Sequence, residues 1–207
     1  MDVFHELGSE ICDEVKSTDL AWLFDDAGFF RLYPMPGLSP RGQLPDPDNE
    51  TMSKMVAVRQ IFDSGFGTSL LRKYRAGENG PGSNGLYNDP KYKVIILGAV
   101  LMGVGAQIGK DDIDHLRHLA LNTGSREGFA LAFCDLGFRG PGLRQFLNAL
   151  TQYQPGTPRD FESPSCFTCG KAKQDIGKEV SRCGRCHKAW FCDKVRYPAS
   201  TPSGSMY

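Results

Sequence analysis

The 207-residue sequence lacks familiar catalytic signatures: it has no G-x-S-x-G elbow, no H-E-x-x-H helix, and no carboxylate pair in an apolar setting. Reaction chemistry is therefore not the expectation, and the chain reads as a non-enzyme. It also lacks an excess of charge. Twenty-four basic residues stand against 24 acidic ones, which excludes a globally basic nucleic-acid binder. No apolar run is long enough for a membrane. The longest, Val94 to Val104, is broken by Gly98 and Gly103, and falls short of the about 20 residues a bilayer requires. The opening Met-Asp-Val-Phe-His-Glu has neither the basic nor the apolar region of a secretion signal, so the expected compartment is cytoplasm or nucleus.

What is present is unevenly spread. Residues 1–50 hold eleven acids and three bases, a net of −8. Residues 166–196 hold eight bases and three acids, a net of +5, together with five of the seven cysteines. In a reducing compartment such a cluster points to metal rather than to disulfides.

The fold expected is mainly α, a helical N-terminal region followed by a small C-terminal zinc-binding module. Residues 1–153 form the helical region, interrupted by an acidic, proline-rich loop at 33–50. Ser53 is a candidate cap for a helix carrying Val56, Ile61 and Phe62, and a shorter amphipathic piece follows from Ser69 to Arg75. Val94 to Ile108 is apolar on nearly all sides, as in a buried central helix. Asp111 or Asp112 opens the next helix, Ser125 caps another, and Pro141 fits the first turn of a last one bearing Leu143, Phe146, Leu147 and Leu150. Residues 154–165 contain three prolines and no periodicity, hence a linker. The module spans 166–196, and 197–207 reads as a disordered tail.

Cys166-Phe-Thr-Cys169 and Cys183-Gly-Arg-Cys186 are two C-x2-C knuckles, with Cys192 six residues after the second. Two thiolates three residues apart can share a tight turn and take adjacent corners of a zinc tetrahedron. Gly170 and Gly184 offer the backbone freedom such turns need. The expected cofactor is zinc, and the expected ligands are Cys166, Cys169, Cys183, Cys186 and Cys192.

Followed by Ala189-Trp190-Phe191-Cys192, this run resembles the first two thirds of a MYND-type zinc finger, as found in fungal proteins. The resemblance implies two interleaved sites. Cys166, Cys169 and Cys192 would be three quarters of one, and Cys183 and Cys186 half of the other. The sixth ligand position falls on Arg196, which stays protonated and cannot bind zinc, so the finger reads as cut short after its fifth cysteine. Two closures are open. Both knuckles close on one zinc as a four-cysteine site, the favoured arrangement because structural zinc is nearly always filled by four protein ligands. Alternatively Cys166, Cys169 and Cys192 keep the family pairing and take a fourth ligand from elsewhere.

Fingers of this family bind proline-rich peptides of the form P-x-L-x-P, and Pro36-Gly-Leu38-Ser-Pro40 has that form. The functional expectation is a protein–protein interaction module, an adaptor or scaffold, with a protein or a proline-rich peptide as partner. The alternative is a nucleic-acid-associated regulator using the basic module, disfavoured because its bases alternate with acids and no recognition helix is visible. Three weaker signals carry nothing. Gly80-Pro-Gly82-Ser-Asn-Gly85 reads as a loop, Asp111, His115 and His118 as a solvated helix face, and Cys12 and Cys134 as buried small hydrophobes.

Overall fold

The computed structural model describes residues 49–79, 90–123, 141–161, 163–185 and 189–193. The acidic proline-rich loop up to residue 48, the glycine-rich 80–85 stretch, the Ser125 helix, Cys12, Cys134, Cys186, Arg196 and the tail lie outside these residues.

The described chain is mainly helical. Helix α1 (Asn49–Ile61) runs through a single wide π-type turn (Phe62–Phe66) into α2 (Gly67–Gly77). Ser53, expected as the cap of α1, instead lies inside that helix, which is described from Asn49 onward. Within the wide turn Gly65 has φ 104°, a backbone angle that a Cβ would strain, so the bend is placed where glycine permits it. Helix α3 (Pro90–Val104) is the centre. Every residue from Val94 to Ala106 is buried, and α1, α2 and α4 all pack on it. That is why its apolar residues show no single face: a helix covered on all sides needs none. Helix α4 (Lys110–Thr123) adds Leu116, Leu119 and Ala120 to the core, and α5 (Pro141–Gln152) adds Phe146, Ala149 and Leu150.

Two close contacts fix these helices. A Cβ on Gly98 would stand 2.6 and 2.7 Å from the two methyl carbons of Leu116, whose side chain is fully buried. Gly98→Ala is therefore expected to destabilise the fold by about 1–3 kcal/mol through overpacking. Urea denaturation checks this, the midpoint falling with the slope unchanged. On the other side, α2 is tied to α4 by Arg75 with Asp112 and by Glu78 with His115 Nε2 at 2.7 Å. The histidine read as solvated is thus held in an ion-pairing position.

Helix α3 ends in a Schellman motif. The N–H of Ala106 donates to the Leu101 carbonyl (2.9 Å) and that of Gly105 to Met102 (3.1 Å), with Gly105 at φ 75°. The segment expected as a free linker lies across this end as a strap. The Gly156 N–H donates to the Gly105 carbonyl at 2.8 Å, and the Arg159 N–H donates to Met102 at 2.9 Å. Arg59 Nη1 donates to the Gly156 carbonyl at 3.0 Å, and the Tyr153 hydroxyl donates to Ala106. Phe161 then inserts into the core, and Gln145 of α5 donates to the carbonyls of Phe161 and Ser163. Backbone hydrogen bonds, side chains from other elements (Arg59, Gln145) and one aromatic hold the strap, which is why no periodic pattern of its own marks it.

The module that follows contains one helical turn, α6 (Lys173–Ile176), and a two-stranded antiparallel ribbon of β1 (Ser181–Arg182) and β2 (Trp190–Phe191), paired Ser181 to Phe191 and Arg182 to Trp190. No described helix is long and apolar enough to cross a membrane.

Candidate metal centre

The first knuckle is a tight turn closed by its own backbone. The Gly170 N–H donates to the Cys166 carbonyl, and the Cys166 N–H to that of Lys171, both at 2.8 Å. Gly170 sits at φ 72°, and a Cβ on it would run into the backbone carbonyl of Arg144 in α5. The knuckle is thus seated directly on α5, with the Arg144 guanidinium 5.1 Å from the centre of the Phe167 ring. Gly170→Ala meets both a strained φ and a backbone clash. Its expected effect is to lift the knuckle from α5, seen as loss of amide-exchange protection over residues 166–171 while α3 stays protected.

The ribbon brings the last cysteine over this turn. The N–H of Phe167 donates to the Trp190 carbonyl of β2 at 2.7 Å, which places Cys192, two residues further on, against the knuckle. The sulfurs of Cys166, Cys169 and Cys192 all lie within 4.8 Å of one another, and Cys169 Sγ stands 3.8 Å from Cys192 Sγ. Among the described residues this is the one group of three such donors, and it could hold a metal ion. Cys183 is buried and stands outside it; its N–H donates to the Ala189 carbonyl at 2.8 Å, so it serves the ribbon's base. Of the two groupings open from the sequence, the described residues bring together the sulfurs of the second: Cys192, rather than Cys183, lies with the first knuckle, and Cys186 is outside the described residues.

The three thiols also perturb one another. Burial pushes the Cys166 thiol up, but the backbone N–H groups of Cys192, Cys169 and Thr168 outweigh it and bring it down to about 7. Cys192 is pushed up to about 11, first by burial and then by hydrogen bonding with, and the charge of, the other two sulfurs. Three thiolates at this distance repel, and a bound cation removes that repulsion. A cavity of about 190 Å³ opens on the group, lined by its sulfurs with Thr168, Phe191 and Asp193.

A second constellation was not legible in the sequence. Asp175, the acid of α6, is buried and collects four donors. Arg159 of the strap reaches it through Nη1 (2.6 Å) and Nη2 (3.1 Å), Asn148 of α5 through Nδ2 (2.7 Å), and the Ala172 N–H at 2.8 Å. The arginine and aspartate side chains are 6% and 3% exposed. Although burial alone raises the Asp175 carboxyl, the Arg159 contact and the other donors hold it below the usual carboxylate value. Strap, α5 and module thus meet at one carboxylate. One of three acids in a basic window, it gave no sign of this.

No family model matches this chain, and neither a curated protein nor a solved structure does.

Proposed function

We propose that this chain is a zinc-binding interaction protein, an adaptor or scaffold without catalytic activity, whose C-terminal module is MYND-like. The observation that carries the reading is the pairing of the first knuckle with Cys192 across the second. This is the interleaved order that a MYND-type site implies and a simple four-cysteine ribbon does not. Zinc fits the donor set. Thiolates about 2.3 Å from a tetrahedral zinc stand roughly 3.8 Å apart, and the Cys169–Cys192 separation is 3.8 Å. Cys166, Cys169 and Cys192 hold the ion, which joins the knuckle to the ribbon and so sets the module's surface. On that surface Phe167 is 39% exposed and tilted against Phe191, their ring centres 6.4 Å apart. An aromatic pair flanked by Arg144 suits an extended proline-rich peptide, which docks on aromatic faces with little ordering cost.

The test is titration of the zinc-loaded full chain with a peptide of the form P-x-L-x-P, read by the fluorescence of Trp190 in a Trp22→Phe background. Saturable binding below about 1 mM is expected, weakened little between roughly 50 and 200 mM salt and lost on chelation. Absence of binding at millimolar peptide contradicts the reading. Binding to generic DNA that collapses by about 10³ or more over the same salt range favours the nucleic-acid alternative instead.

A further inference from the structure

We propose that the metal site is opened by oxidation: a hydroperoxide joins Cys169 to Cys192 as a disulfide and expels the ion, leaving Cys166 as a reduced thiol. This rests on the metal reading above and assigns that site its regulation. The three sulfurs are not equivalent. Cys166 is 2% exposed, under the turn it begins, whereas Cys169 is exposed and Cys192 half-buried. The two accessible sulfurs are the pair at 3.8 Å, and the cavity of about 190 Å³ opens beside them with room for a small peroxide. A disulfide needs an approach to about 2.05 Å. Exposed Cys169 can make that approach by side-chain rotation, because the knuckle backbone is held independently by the Gly170 and Phe167 N–H bonds.

The chemistry balances with the peroxide as oxidant. The Cys169 thiolate attacks one peroxide oxygen, the O–O bond breaks, and the other oxygen leaves as an alcohol after taking a proton (as water, from hydrogen peroxide). The Cys169 sulfenic acid is then attacked by the Cys192 sulfur. The S–S bond forms, the S–O bond breaks, and hydroxide leaves as water with a second proton. Two electrons pass from the two sulfurs to the peroxide, and the metal ion departs with its charge unchanged. The remaining single thiolate of Cys166 cannot hold it. The disulfide still ties the knuckle to β2, so the module keeps its seat on α5 while losing the ion.

The experiment uses the full chain, reduced and loaded with one equivalent of zinc, then treated with hydrogen peroxide. Released zinc is followed with a colorimetric chelator and cysteine pairing by peptide mapping. The expected result is one Cys169–Cys192 link per zinc released, with Cys166 still alkylated once the chain is denatured. A dithiol reductant then restores zinc uptake. Release accompanied by a Cys166–Cys169 link, or by sulfinic acid without any link, overturns the proposal while the metal site stands. A reduced chain that takes up no zinc overturns the metal reading and the proposal with it. A metal-free arm should form the same Cys169–Cys192 link, and its absence there counts against the sulfur geometry itself.

Discussion

Cys192→Ala is expected to abolish tight zinc binding, whereas Cys183→Ala is expected to leave that site's affinity within a few-fold. The contrast follows from position. Cys192 is one of three sulfurs within 4.8 Å of one another, and Cys183 stands outside that group. Losing a ligand should exceed the roughly 10–100-fold cost of losing an outer hydrogen-bond partner of a metal site. The consequence reaches the fold. Structural zinc can contribute about 10–16 kcal/mol to the folding of a small module, and this one has only a two-residue ribbon and a single helical turn of its own, besides its contacts with α5 and the strap. In Cys192→Ala, amide protection over residues 163–185 should fall to that of the chelated wild type. Cys183→Ala should cost only the packing of a small buried side chain, of order 1 kcal/mol. Equal loss of zinc in both variants would place the second knuckle in the same site.

The second large effect is at the carboxylate where strap, α5 and module meet. Asp175→Ala removes the partner of a buried guanidinium and should destabilise the protein by about 3–5 kcal/mol, the cost of leaving one member of a buried pair alone. Arg159 would suffer further because its Nε already lacks a hydrogen-bond partner. Replacing both, Arg159→Met with Asp175→Leu, should recover much of the loss, since no charge is then stranded. Chemical denaturation of the three variants checks this. The pH dependence has a defined sign. Because the Asp175 carboxyl is held below its ordinary value of 3.8, its contribution is fully present above that value and is lost as pH falls through the depressed native one. In Asp175→Asn that part of the acid-induced loss should disappear.

Chain chemistry made some of this visible in advance and hid the rest for physical reasons. The run Val94 to Ile108 announced a central helix because burial on every side demands apolar residues on every side, and α3 is that helix, although it ends at Val104, before the expected Ile108. Pro141 marked the start of α5, where its missing N–H costs nothing. Ser53, a capping residue type, lies inside α1: propensity marks a candidate cap but does not fix where a helix starts. The strap was legible only as a gap in periodicity. It is held by backbone groups of Gly105, Gly156 and Arg159, which leave no side-chain pattern to read.

The same division runs through the site. Spacing found the cysteines, since two ligands three residues apart is a local property. Which of them share an ion is not local. It depends on the Phe167 N–H reaching Trp190, a contact between residues 23 positions apart, and on the β1–β2 pairing that positions Trp190. Asp175 was counted only as one acid among eight bases. Its role arises from Asn148 and Arg159, which belong to other elements and share no spacing rule with it.

The central claim, that Cys166, Cys169 and Cys192 hold one metal ion together, is tested most directly by mapping thiol protection in the full chain. The reduced protein, with and without one equivalent of zinc, is pulsed with an alkylating reagent, and each cysteine's labelling is read by peptide mass. Zinc is predicted to shield Cys169 and Cys192 together, with Cys166 guarded in both states by its burial and Cys183 unchanged by the metal. Shielding of Cys169 with Cys183 and Cys186, while Cys192 stays labelled, would mean that the two knuckles close on a single ion, and would contradict the account.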